Sequence, residues 1–299
     1  MTSLNYLIMR NTKLFFKDKG TFFASLIAPL ILLTLFITFL GNVYRESFHN
    51  AIPEGVSVPD SLINGFVGGW LFSSLLATCC VTIAFTANMI MPQDKMDGAR
   101  ADLTVTPVKG SVLGLSYYIS TALITGIICY TAVAAGFIYL SIEGWYLSAA
   151  DVWYVLLDVL LMVLFGTALS SVVCFFLKNQ GGVTGVTTIV SAIYGFLCGA
   201  YMPISSFSSG VQSFIKYLPG TYGTVLLHNH LMNGTFRTLE TEYFPKQVVD
   251  GIRKGFDNIL YVGDKRIEIS EMYLIVTLTV AGLVVLYVFL NLWKGKRAA

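Results

Sequence analysis

The 299 residues are 55% hydrophobic and only 12% charged, with a mean hydropathy of +0.71. A soluble domain carries roughly 25% charged residues, so this balance excludes a water-soluble globular protein. The formal net charge of +2 sits in loops, and no basic patch is interleaved with aromatic residues, which argues against a nucleic-acid partner.

Near the N-terminus, Leu4, Leu7, Ile8, Leu14 and Phe15 fall on one helical stripe, with Asn5, Arg10, Lys13 and Lys17 elsewhere. The pattern predicts a helix over residues 1–20 lying in the membrane interface, its basic face toward anionic headgroups. A topogenic flank with no further role is the alternative. Six apolar stretches follow, at 22–42, 66–91, 112–140, 152–177, 183–203 and 273–293. Each is near the ~20 residues that cross a hydrocarbon core of about 30 Å. The first exceeds the roughly 7–15 residues of a signal-peptide core and has no small-x-small cleavage site behind it, so it stays as a span.

Lys and Arg near span ends favour the cytoplasm. Arg10, Lys13, Lys17, Lys19, Lys95, Arg100, Lys109, Lys178, Lys294, Lys296 and Arg297 fall on one side. The two short loops opposite hold Arg45 against Glu46, Glu54, Asp60, Glu143 and Asp151. Both termini are therefore expected inside. All five cysteines (Cys79, Cys80, Cys129, Cys174 and Cys198) lie in predicted spans without metal-site spacing, and read as small apolar packing residues.

Between the second and third spans, Pro92 is expected to end one helix, and Pro107 and Gly110 to bracket a short polar helix before the next. Asp94, Lys95, Gly98, Leu103, Thr106 and Pro107 stand in the register of the first cytoplasmic loop of ABC-2-type transporter permeases, which the segment resembles. Ala99, Arg100 and Ala101 depart from that family's usual Thr, apolar residue and Glu. After the fifth span, residues 199–203 (Gly-Ala-Tyr-Met-Pro), an amphipathic stretch through Val211, Phe214 and Ile215, and residues 218–222 (Leu-Pro-Gly-Thr-Tyr) are similar to the family's signature region. There Leu218 replaces the usual Asn.

The resemblance covers essentially the whole chain and implies a single all-α transmembrane domain over 1–299. Its parts would be an interfacial helix at 1–20, spans one to five within 22–203, outer re-entrant helices and a cap at 204–270, and a sixth span at 271–293. Pro203, Pro219 and Tyr222 would mark the re-entrant region, and serines and glycine at 205–210 cannot extend a straight span. Within the cap, 245–260 reads as an amphipathic helix and 260–269 as a hairpin around Gly263 and Asp264, a small α/β insertion. The cap is read either as a surface insertion or as a contact for cargo or partner.

The resemblance further implies the membrane subunit of an ABC exporter in a bacterial plasma membrane. Its partners would be two cytoplasmic ATPase subunits, a second permease (identical or paralogous) and membrane lipid. Its cargo would be hydrophobic or amphipathic: a drug, an antimicrobial peptide or a lipid. Asp94, Lys95, Gly98, Arg100, Leu103, Thr106 and Pro107 would form the ATPase-coupling loop. In it Gly98 would allow close backbone approach and Leu103 would supply an apolar plug. No phosphate-binding Gly-x-x-x-x-Gly-Lys-Ser/Thr loop, nucleophile elbow or catalytic cluster is present, so no cofactor or catalytic residue is expected in this chain, and ATP and Mg would be bound by the partner.

Phe72, Asn88, Asp158, Thr187, Tyr194 and Phe196 are candidates for the substrate path. Asp158 is the only carboxylate inside a predicted span, which makes it a functional candidate; a slightly deeper start to that span would instead put it near the interface. Gly181, Gly185, Gly195 and Gly199 form small-xxx-small pairs suited either to a dimer interface or to packing within the subunit. His228 and His230 have no metal-ligand spacing and read as an ordinary polar boundary. A secondary transporter or channel acting without an ATPase is the runner-up, and a membrane-embedded enzyme the third reading.

Overall fold

The computed structural model describes residues 3–52, 56–105, 108–263 and 265–298. Helix α1 (Ser3–Lys17) stops at Asp18, whose carboxylate accepts the Thr21 backbone N–H at 3.2 Å and so caps α2 (Lys19–Leu35). Helix α2 continues through a π-helical turn (Phe36–Leu40) into α3 (Gly41–Ala51). The long helices are α4 (Asp60–Ala87), α7 (Gly110–Glu143), α8 (Ala149–Phe176) and α13 (Ile269–Ala298). Two short helices, α5 (Ile90–Met96) and α6 (Ala99–Val105), fill the connection between α4 and α7.

The break comes at Asn88 and Met89, not at Pro92. That proline sits in the first turn of α5, where its missing N–H is not needed. Gly98 has φ +80, and a Cβ there would meet no atom within 4 Å. Within this chain the glycine serves the left-handed turn between α5 and α6, not a close approach.

Among the described residues, five helical segments are long and apolar enough to cross a membrane: Lys19–Asn50, Asp60–Met96, Gly110–Glu143, Ala149–Phe176 and Ile269–Trp293. The predicted stretch at 183–203 is not one straight helix. Helix α9 (Gln180–Leu197) has 18 residues, about 27 Å at ~1.5 Å each, and the chain then leaves it through Gly199 at φ +70. A 3-10 turn (Ile204–Ser206) and α10 (Ser209–Ile215) lead to α11 (Pro219–Thr238).

Helix α11 is the largest departure from expectation. Instead of a short element on the outer face, it is a 20-residue helix buried among α4, α8 and α13. A Cβ on Gly223 would lie 1.9 Å from Met162 Sδ, so the two helices meet there. Met162 is 13 residues beyond Ala149 at the start of α8, about 20 Å down that helix. Helix α11 therefore begins deep in the bundle and climbs to the end where α8 starts. Beyond it lie α12 (Lys246–Gly255), which buries Val249 and Ile252, and a two-stranded hairpin, β1 (Tyr261–Val262) with β2 (Lys265–Arg266). Asp264 lies outside the described residues.

Helix α4 is the axis, with 94% of its most apolar window buried. Three apolar clusters stack along it. One gathers at the end bearing α1 and the 88–109 connection (Leu7, Phe15, Met91, Leu113), one lies at mid-depth, and one at the far end holds Phe48, Phe66, Trp70 and Phe236. Lipid tails are as apolar as these side chains, so their burial acts through packing and dispersion rather than through transfer out of water.

Candidate functional site

The end of the bundle that carries α1 is held by two charged side chains from the connection between α4 and α7. Asp94 is buried, and Arg10 of α1 grips it through two hydrogen bonds, at 2.7 and 2.8 Å. Tyr117 of α7 donates to the same carboxylate at 2.6 Å. The paired Asp94 carboxylate favours the charged guanidinium and raises the Arg10 pKa. Next along, Lys95 Nζ donates to the carbonyls of Cys174 and Phe175, at 3.1 and 2.8 Å, satisfying the exposed end of α8.

Asp94 and Lys95 thus face inward and fix α5 to α1, α7 and α8. Leu103 is half-buried against the same apolar cluster, so its side chain supports this chain's own packing. Ala101, Asp102 and Val105 of α6 point outward, and Val105 is 88% exposed. Arg100 is half-buried; Thr106 and Pro107 lie outside the described residues. Helix α1 is more than an interfacial float: Leu7, Asn11 and Phe15 bury against the bundle, while Leu14 of the expected stripe stays exposed.

A second polar cluster lies at mid-depth. Asp158 is 1% exposed; its Oδ2 is 2.6 Å from His230 Nδ1 and its Oδ1 accepts from the Tyr273 hydroxyl. The Tyr154 ring stacks on His230 with centroids 4.8 Å apart. His228, two residues away, is also buried, with Nε2 3.1 Å from Ser74 Oγ and its ring stacked on Trp70. These histidines are not a polar boundary: each fastens α11 to a different neighbour. Nearer the far end, Asn233 donates to Asp151 at 2.7 Å, and Asp151 closes a capping box with Ser148 at the start of α8. Partners 72 and 82 residues apart leave no local spacing to read. Arg10, Tyr117, His230 and Tyr273 could not be assigned from their own neighbourhoods.

Two cavities flank α2, one on each face. The larger, about 1,090 Å³, runs between α2 and α9 and is lined by Thr187 and Phe196, with Ile31, Phe39 and Tyr201. The other, about 630 Å³, lies between α2 and α7 over α4 and includes Phe72. The path candidates therefore do not converge. Thr187 and Phe196 share one cavity and Phe72 lines the other. Tyr194 is buried beside Gly220 and Cys198. Asn88 donates to Ser170 and Ser171, at 3.2 and 3.0 Å, where α4 breaks.

Of the four small-xxx-small glycines, a Cβ on Gly195 would strike the Tyr201 ring at 2.3 Å, and Gly199 takes a left-handed φ. Both have reasons within the chain. Gly185 faces open space, and Gly181 meets nothing nearer than 4.0 Å. Pro203 precedes the 3-10 turn, Pro219 opens α11, and Tyr222 is buried one turn into that helix.

The broken segment after α9 is pinned by Asp257, which is buried at φ +57 with Oδ2 accepting the Ile204 N–H at 2.5 Å. Burial pushes its pKa up to about 7, against the opposing pull of that N–H and of Lys216. All five cysteines are buried and free. Among the described residues, no group of three His, Cys, Asp or Glu side chains is placed to hold a metal ion.

A family model described as ABC-2 family transporter protein matches residues 57–293. The chain belongs to the ABC-2-type permeases, multi-pass membrane subunits of ABC transporters. No curated protein matches it.

Proposed function

We propose that this chain is the permease of an ATP-driven exporter in a bacterial plasma membrane, moving hydrophobic or amphipathic cargo outward. The exporter has two ATPase subunits, one of which docks on this chain's α5–α6 segment, and a second permease, identical or paralogous, completes the path. The observation that carries this reading is how α5 and α6 are mounted. Asp94 and Lys95 lock the base of the segment to three helices, while α6 presents Val105 outward. A push on α6 is therefore delivered to α1, α7 and α8 rather than lost in a loop. Both termini and this segment are cytoplasmic in the proposed topology. The sixth crossing is completed by α9 together with the broken segment up to Pro203, α11 belongs to the interior of the bundle, and α12 with the β1–β2 hairpin caps the outer side. The cargo path follows the α2–α9 cavity with Thr187 and Phe196, and Gly181 and Gly185 face the second permease. ATP and Mg belong to the partner.

The test is Val105→Asp, measured for expression, co-purification of the ATPase and transport. Normal expression with lost co-purification and lost transport supports the docking role. Normal assembly and transport would remove it. Leu103→Ala is the weaker probe, because that side chain also packs internally.

The buried Asp158–His230 pair favours one second reading, a proton-driven carrier, since membrane-embedded ionisable groups mark ion pathways. Purified permease reconstituted without an ATPase distinguishes the two. Uptake driven by a proton gradient alone would move the function to secondary transport.

A further inference from the structure

The cavity between α2 and α7 has an unusual distribution of polarity. Its floor is α4 from Asn64 to Cys79, 15 residues or about 22 Å at ~1.5 Å each. Leu26, Leu30, Leu33, Leu71, Leu75 and Ala132 make its deeper part apolar, and Phe72 settles against the bare backbone of Gly136. The charged side chains gather at the far end. There Arg45 Nη2 donates to Asn64 Oδ1 at 2.5 Å, and Asn64 Nδ2 donates to Glu143 Oε2 at 3.0 Å. Asn64 holds the two charges apart, and among the described residues neither one forms an ion pair.

We propose that this groove is a binding site for one zwitterionic glycerophospholipid of the leaflet on that side. One acyl chain lies along α4, the phosphate meets Arg45 and the ammonium meets Glu143. The length fits, because one leaflet contributes about half of a ~30 Å hydrocarbon core, and the groove covers that depth with room for the glycerol region. The charge pattern selects the headgroup. An anionic lipid would satisfy Arg45 but set its negative charge beside Glu143, and a cationic amphiphile would do the reverse. Only a headgroup carrying both signs meets both ends of the Arg45–Asn64–Glu143 string. The site lies on the opposite face of α2 from the proposed cargo cavity, so the lipid is a resident of the permease rather than its cargo.

The experiment reconstitutes the full-length permease in nanodiscs of equal phosphatidylethanolamine and phosphatidylglycerol, extracts it in mild detergent and counts retained lipid by native mass spectrometry. One phosphatidylethanolamine per chain is expected. Glu143→Gln should cut the preference over phosphatidylglycerol about fivefold, the usual effect of one interfacial charge. Ala135→Trp, which fills the groove from its exposed edge, should release the lipid altogether. The double exchange of Arg45→Glu with Glu143→Arg should keep the preference and guards against a variant that merely misfolds. Equal retention of both lipids, no retained lipid, or undiminished retention in Ala135→Trp would overturn the proposal. So would disulfide cross-linking between copies at Ala135→Cys, which would show a second permease seated in the groove.

Discussion

Helices α4 and α13 are both apolar enough to cross a membrane, yet 94% of one window is buried against 11% of the other. In water the more apolar helix would be the buried one. Here the order is reversed: α4 carries Gly65, Gly68, Gly69, Ser73, Ser74, Thr78 and Thr82, whereas α13 is rich in Leu and Val. Small residues let backbones approach. A Cβ on Gly65 would lie 2.9 Å from the Gly144 carbonyl, and one on Gly69 3.0 Å from that of Leu231. The hydroxyls of Ser73, Thr78, Thr82 and Thr86 satisfy themselves on their own helix, as Thr82 does on the Thr78 carbonyl at 3.0 Å, while Ser74 meets His228 of α11. Hydropathy thus marks which segments cross, and small or weakly polar side chains mark which of them is the axis.

The sharpest way to break this contrast lies where Tyr273 ties α13 to the buried Asp158 carboxyl of α8. Asp158→Ala leaves His230 and the Tyr273 hydroxyl without their buried partner. It should cost about 3–5 kcal/mol, as removal of one member of a buried pair does. Thermal unfolding in detergent is the readout, and Asp158→Asn should recover part of the loss. A melting temperature unchanged by Asp158→Ala would mean that α11 and α13 do not depend on this cluster.

The axis itself is tested by crowding. A Cβ on Gly166 of α8 would sit 2.4 Å from the Cys80 carbonyl of α4, so Gly166→Leu must push two backbones apart. Overpacking of this kind costs about 1–3 kcal/mol. The same thermal scan measures it, and a neutral result would show that α4 and α8 are less tightly apposed than this geometry requires.

A smaller effect, local to the far end, comes from Asp257. Below about 3.8 its carboxyl is neutral in both the folded and the unfolded chain. Between there and about 7 only the unfolded chain releases the proton, so the stability of the anchored segment falls as pH rises through that window. Hydrogen-exchange protection over residues 204–216 and 246–260, after division by the intrinsic base-catalysed exchange rate at each pH, should therefore be greater at pH 5 than at pH 8. Asp257→Asn should flatten the dependence, and a wild-type profile that is flat or reversed would contradict it.

The spans were legible because crossing a bilayer demands length and apolarity, properties of contiguous residues. The connection at 88–109 was legible in register through Asp94, Gly98 and Leu103, but not in orientation. Whether Asp94 faces an ATPase or Arg10 depends on a helix 84 residues away. Helix α11 was misplaced for a related reason. Its His228, Asn229, His230 and Asn233 lower its hydropathy to that of a surface segment. Ser74, the Asn258 carbonyl, Asp158 and Asp151, all outside α11, then accept or share those polar groups. Polar residues matched across a bundle look, in one dimension, the same as polar residues facing water.

The smallest prediction tests the lipid-facing half of the contrast and has the opposite sign. Gly282 lies in α13, is exposed, and a Cβ built there would meet nothing within 4 Å. If α13 faces lipid at this position, Gly282→Ala adds a methyl group to open hydrocarbon and removes backbone freedom from the helix. It should be neutral to stabilising, by at most about 1 kcal/mol. Substitution by Leu should be tolerated as well, unlike Leu at Gly166. Thermal scans of Gly282→Ala and Gly282→Leu beside Gly166→Leu make the comparison within one experiment. A loss at position 282 as large as that at 166 would show that this face of α13 is covered by protein, and would place a second permease or another subunit against it.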